Sequence, residues 1–248
     1  MNELITFSVN EYKKLFRQTK AKITIVLFAL CSIAIGIGSI IIENNTGVKI
    51  VAPGRFPVFV LELLIGFVLP VLTIFICSEL FAAEFKDSTI KNLFALPVTK
   101  SIIYLGKMLA GAAFTGTCLL MLSVSGIAVS AVINGTMAFE SIGSILISYL
   151  GAFIFLGAVL SIVGFFTLIA GSPSIAIAIN LLIWFVSGIT GTFITGIRQF
   201  MPTSFSGWHQ PLISGVNMTM ALPPLLYMLA YCIIFAVAGL LIFERKEV

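Results

Sequence analysis

Charge is what this sequence lacks. Fourteen bases and ten acids make up only 10% of its 248 residues, against roughly 25% in an ordinary soluble domain. So few ionisable groups cannot furnish the solvated shell of a water-soluble globule, which excludes a cytosolic enzyme, a disordered regulator and a nucleic-acid-binding domain. Histidine is scarcer still. His209 stands alone, so a multi-histidine metal site is ruled out and an intramembrane hydrolase lacks its usual base or ligand set. With Phe205 and Trp208 beside it, His209 reads as part of an interfacial segment at the headgroup level. The four cysteines, Cys31, Cys77, Cys118 and Cys232, each fall in a different apolar stretch without metal-ligand spacing. They read as small packing residues, not as a disulfide framework or a zinc site. A phosphate-cradling G-x-x-x-x-G-K-[ST] loop is missing too. The nearest stretch, Ser101 to Met108, has serine at the first glycine position and methionine after Gly106-Lys107. Any use of ATP must therefore come from another chain.

What is present is apolar: 59% of residues are hydrophobic and the mean hydropathy is +1.15. The class is integral membrane protein. A helix crossing a hydrocarbon core of about 30 Å needs about 20 apolar residues. Six segments qualify, approximately 23–42, 58–81, 103–133, 142–170, 174–197 and 223–243, and the whole chain, 1–248, reads as a single membrane domain. Between the fourth and fifth lies only Gly171-Ser172-Pro173, chemistry that stops one helix and starts another. Reading 142–197 as one interrupted unit, for five spans in all, is the less favoured count.

The bases are sorted by loop. Lys13, Lys14, Arg17, Lys20 and Lys22 precede the first span, Lys86, Lys91, Lys100 and Lys107 flank the second and third, and Arg245 and Lys246 follow the sixth. Only Lys49, Arg55 and Arg198 fall on the other side. Basic loops stay cytoplasmic, which predicts that both termini and the 82–102 loop face the cytoplasm of a multi-pass cell-membrane protein. The first 22 residues are not a secretory leader, since Glu43-Asn44-Asn45 follows the apolar run instead of a small-residue cleavage site. Ile5, Val9, Tyr12 and Phe16 recur at helical spacing, opposite Asn10, Lys13, Lys14, Arg17 and Gln18. This predicts an amphipathic helix lying in the interface.

Polar residues inside spans are rare and therefore informative. Glu62 lies about four residues into the second span, with Arg55 or Arg198 available to neutralise it. It reads either as a paired rim residue, the favoured reading, or as a cavity-lining group on a translocation path. Asn180, in the fifth span, is the other path candidate, with an amide suited to bonding a neighbouring helix. Glu79 and Glu84 sit near the cytoplasmic end, solvated or paired with Lys86 and Lys107. Small residues at spacing four, such as Ser32 and Gly36, Ala112 and Gly116, and Ser187 with Gly191 and Thr195, predict close helix approach.

The most specific stretch runs from Glu84 to Lys107. Asp87 or Ser88 can cap a short helix, Ile90, Leu93 and Phe94 form its apolar stripe, and Pro97 ends it before a second helix restarts near Thr99. A short amphipathic helix is thus offered to the cytoplasm between the second and third spans. The pattern E-x-x-x-(G/S)-T-[IL]-x-x-L-x-x-x-P-[VI]-[ST]-[RK], met here by Glu84, Ser88, Thr89, Ile90, Leu93, Pro97, Val98, Thr99 and Lys100 and followed by Gly106-Lys107, resembles the loop of permease subunits of type-2 ABC exporters. Serine replaces the commoner glycine. Six spans, inward termini, the interfacial helix and a long outward segment before the last span extend the likeness over nearly the whole chain.

The resemblance implies a half-transporter: an all-α permease paired with a second copy or a related permease and with two separate soluble ATP-binding cassette subunits. ATP and magnesium would be held by those partners, and this chain would carry no catalytic residue, metal or cofactor of its own. Glu84, Lys86, Asp87, Thr89, Ile90, Lys91, Leu93, Phe94 and Pro97 would form the contact with the ATPase. Small permeases of this size resemble exporters of peptides or antibiotics, including immunity systems, so export of an amphipathic or hydrophobic compound is expected. Export of sodium, lipid or polysaccharide is an alternative, and so is a membrane anchor or sensor that recruits a soluble partner without transport.

Overall fold

In hydrocarbon a long apolar run can satisfy its own backbone only as a helix or within a closed barrel. The computed structural model describes residues 2–49, 51–52, 54–86, 98–135, 141–170, 172–213 and 218–246, and these are helical with no strand among the described residues. The protein is an all-α integral membrane protein. Helix α1 (Asn2–Arg17) leads through Gln18 into α2 (Thr19–Thr46), which ends where Gly47 takes φ 69° and its N–H caps the Glu43 carbonyl. Next come α3 (Phe56–Ile65), α4 (Val68–Cys77), a π-helical turn (Ser78–Ala82) and α5 (Ala83–Lys86). Helices α6 (Lys100–Asn134), α7 (Ile142–Ile169) and α8 (Pro173–Phe193) follow. After the short turns α9 (Thr195–Arg198), Pro202–Phe205 and α10 (Gln210–Ile213), the chain closes with α11 (Met218–Arg245).

Helices α2, α6, α7, α8 and α11 are each long and apolar enough to cross a membrane, and the bent pair α3–α4 makes a sixth crossing when taken as one span. The expected tight turn is there. Ser172 accepts from the Ile175 N–H and Pro173 occupies the first turn of α8, so two helices replace the single interrupted unit. Thr99 likewise caps α6 through the Ile102 N–H. The second span differs from the unbroken segment expected over 58–81, because its halves meet at 58°. Pro70 supplies the reason: it has no N–H to bond the carbonyl four residues back, at Gly66, and its ring clashes with that carbonyl. Phe67 absorbs the bend at φ −138° and ψ −54°.

Helix α7 is the axis of the bundle, with 67% of its apolar window buried where α11 has 11%. Small residues set the close approaches between helices. Ser32 and Ser125 share a hydrogen bond of 2.9 Å between α2 and α6. A Cβ on Gly36 would stand 2.5 Å from Val129 Cγ1, and one on Gly126 would meet Pro57 at 3.2 Å. Both ends of the chain meet at one end of the bundle. Lys100 Nζ donates to the Glu244 carbonyl at 3.0 Å and the Ser101 hydroxyl to Glu244 Oε1 at 2.6 Å, while α1 lies along the start of α6.

Candidate functional site

Helix α1 is amphipathic on two sides. Ile5, Val9 and Phe16 stay 55%, 43% and 40% exposed, an apolar stripe of the kind that settles into a lipid interface. A second line at i, i+4 and i+8, formed by Phe7, Glu11 and Leu15, packs inward. Phe7 lies so close over Gly106 on α6 that an added Cβ would collide with its Cδ1. Tyr12, the remaining member of the expected stripe, turns to α6 and shares a 2.9 Å hydrogen bond with Thr117.

Glu11 is an acid on that buried line, only 7% exposed, and it meets Lys107, which is 0% exposed. Lys107 Nζ stands 2.9 Å from Glu11 Oε2, 2.6 Å from Glu84 Oε2 and 3.0 Å from the Leu80 carbonyl in the π-helical turn. The ammonium donates hydrogen bonds to Glu11 and to the Leu80 carbonyl and is ion-paired with Glu84. The Phe81 ring lies 6.0 Å from the same nitrogen. Lys14 completes the group, pairing with Glu84 Oε1 and standing 4.0 Å from Glu11. Burial disfavours the Lys14 ammonium, but its hydrogen bond to Glu84 and the charges of Glu84 and Glu11 outweigh this and hold its pKa above the ordinary lysine value. Two cations and two anions cancel, which lets Glu11, Glu84 and Lys107 stay buried while Lys14 reaches solvent at the edge.

The quartet contains no nucleophile or base poised for chemistry. Mechanically it joins α1, the end of the broken second span and the start of α6 at one point. The segment offered as the ATPase contact is flanked by those last two elements. Of its proposed residues, Glu84 is in the quartet and Lys86 ends α5, while Asp87, Thr89, Ile90, Lys91, Leu93, Phe94 and Pro97 lie outside the described residues, as does the short helix expected over 84–97 beyond Lys86. Glu84 pairs with Lys107 as one expectation had it, whereas Glu79 pairs with Lys20 at 2.6 Å. Glu11 escaped sequence reading because its partner is 96 residues away. The available signal was an acid centred on a second apolar line, between Phe7 and Leu15.

The opposite end is organised by the segment before α11. Glu62 accepts from Gln210 Nε2 at 3.2 Å, and among the described residues it forms no ion pair with Arg55 or Arg198. Arg55, Glu62, Ser144 and Gln210 border an open cavity of about 330 Å³. Phe205, Trp208 and His209 are buried against the bundle. Trp208 Nε1 donates to the Gly151 carbonyl at 3.0 Å, and a Cβ on Gly151 would stand 2.6 Å from His209 Cβ. The missing side chain at Gly151 leaves the room that this close packing needs. Burial lowers the His209 pKa from the ordinary histidine value. Asn180 does bond a neighbouring helix: its Nδ2 donates to Thr167 Oγ1 at 3.1 Å on α7, and also to the Ala176 carbonyl at 2.9 Å.

Residues 9–187 match the family model described as ABC-2 family transporter protein. That stretch spans the charged quartet, the broken span and Asn180. No curated protein matches the chain.

Proposed function

Because the chain belongs to the ABC-2 family of transporter proteins, we propose that it is the membrane half of an ATP-driven exporter for an amphipathic or hydrophobic compound, a peptide or antimicrobial in the favoured case. A soluble ATP-binding cassette subunit, holding ATP and magnesium, supplies the stroke, and a second permease copy or a related permease completes the complex. The termini and the 87–97 segment face the cytoplasm, where the excess of lysine and arginine keeps them.

One observation supports this mechanism above the others: the charged quartet of Glu11, Lys14, Glu84 and Lys107, buried at all but Lys14. A partner pressing on the 87–97 segment needs stiff stems, or its displacement is lost in bending. The Lys107–Glu84 pair ties the two stems together, and Glu11 adds α1 to the same rigid unit. Nucleotide-driven closure of the ATPases then moves the second span, the third span and the interfacial helix as one body. By linkage, occupancy of the substrate site alters nucleotide affinity through the same contact.

Co-purification of the full chain from its native membrane tests this reading. A subunit with Walker motifs is expected to come with it and to be stimulated by an exported compound. Isolation with partners none of which hydrolyses nucleotide would contradict the reading.

A further inference from the structure

Below the outer segment, α7, α8 and α11 enclose a cavity of about 410 Å³, within the range of about 300–1,000 Å³ typical of small-ligand sites. Its wall is apolar and aromatic, with Val163, Phe166, Trp184, Tyr231 and Phe235 among the lining residues. Leu182 and Val186 form part of that lining while staying 64% and 52% exposed. On that side the groove opens onto the outer surface of the bundle.

Apart from the Trp184 indole N–H, the donors on this wall are already engaged. Thr190 donates to the Val186 carbonyl at 2.6 Å, and the Tyr231 hydroxyl donates to the Phe200 carbonyl. Ser187 is held by Thr203 Oγ1 at 3.3 Å and Met201 Sδ at 3.7 Å. Asn180, 3% exposed, gives its amide nitrogen to Thr167 and Ala176. Its Oδ1 accepts no hydrogen bond among the described residues, so the wall offers an acceptor in an otherwise apolar surround. A molecule carrying an unmatched N–H or O–H in hydrocarbon bears a desolvation cost that such an acceptor removes.

We propose that this groove binds the apolar chain of an amphipathic molecule drawn from the bilayer, with Asn180 Oδ1 accepting from a single hydroxyl or amide N–H on it. This names a substrate class and rests on the exporter reading for its role in transport. The binding step itself needs neither ATP nor a partner.

Trp184 is one of two tryptophans, so Trp208→Phe leaves it as the sole reporter in the full chain reconstituted in phosphatidylcholine nanodiscs. Titration with 11-bromoundecanol is expected to quench Trp184 saturably. Asn180→Leu should weaken half-saturation by about five-fold, the worth of one ordinary hydrogen bond, and leave quenching by 1-bromoundecane unchanged. Val186→Phe, which narrows the mouth without touching Asn180, should remove the saturable component and serves if Asn180→Leu does not assemble. Equal, unsaturable quenching by alcohol and alkane, indifferent to either substitution, would overturn the proposal and assign the groove to lipid chains. A chain that isolates with a working ATPase yet shows no saturable quenching refutes the groove alone. Saturable binding by a chain that engages no ATPase refutes the exporter reading alone.

Discussion

Replacing Lys107 by methionine would keep a chain of similar length and remove the charge that two buried carboxylates share. Glu11 and Glu84 are 7% and 6% exposed, and Lys107 is the buried one of the two cations they hold in common. In Lys107→Met they would be left with Lys14 alone, whose side chain is 54% exposed. Stranding one partner of a buried ion pair costs about 3–5 kcal/mol. The cheapest escape is for α1 to lift off and carry Glu11 into water. At the lower figure the docking equilibrium moves by roughly a hundredfold. Hydrogen exchange of the full chain in detergent or nanodiscs reads this directly, since amide protection reports the free energy of local opening. Amides of Phe7 to Leu15 should lose roughly a hundredfold in protection while those of α7 keep theirs. Adding Glu11→Gln and Glu84→Gln to Lys107→Met should recover most of the loss, because no buried charge then remains unmatched. A change in α1 below about three-fold, or an equal loss throughout the bundle, would refute the idea that the quartet fastens α1.

Gly106→Leu should undock the same helix by collision with Phe7, costing about 1–3 kcal/mol, and Phe7→Ala should relieve it; thermal unfolding of the two single variants and the double tests the pairing. At the other end, burial lowers the His209 pKa, so the docked segment binds its proton less readily than the released one. Its docking is thus fully kept above the ordinary histidine value of about 6.5 and weakens as pH falls below it. Proteolysis of the 198–213 segment should rise between pH 7.5 and 5 in the wild type and stay flat in His209→Phe. For the partner contact, Ile90→Ala/Leu93→Ala should lower partner-stimulated ATP turnover at equal assembly, and normal turnover would count against the contact.

Much of the helical layout could be read from composition and local chemistry. Backbone satisfaction forces long apolar runs into helices, and Ser172, Pro173 and Thr99 mark helix starts by chemistry within three residues of themselves. Asn180 was legible for a related reason, since a lone amide in a span must find a partner and Thr167 lies one helix back. The break at Gly66–Phe67 was less so. Pro70 was visible, but whether a proline kinks a span or splits it depends on the neighbours that receive the freed carbonyls. Pairing between distant helices was the least legible. Nothing near Glu11 names Lys107 as its partner, and nothing near Trp208 announces the space beside Gly151 into which the segment packs. Both follow from which helix stands next to which, and apolar periodicity does not encode that.

The central claim is that motion enters this protein from a soluble ATPase through the segment between the second and third spans. A photo-crosslinking amino acid at position 93, in the full chain expressed in its native cell, tests it most directly. An adduct with a Walker-bearing ATPase, lost when the probe is moved to position 209, is the predicted result. No ATPase adduct at position 93, together with labelling of that position by a membrane-impermeant reagent applied from outside the cell, would contradict it.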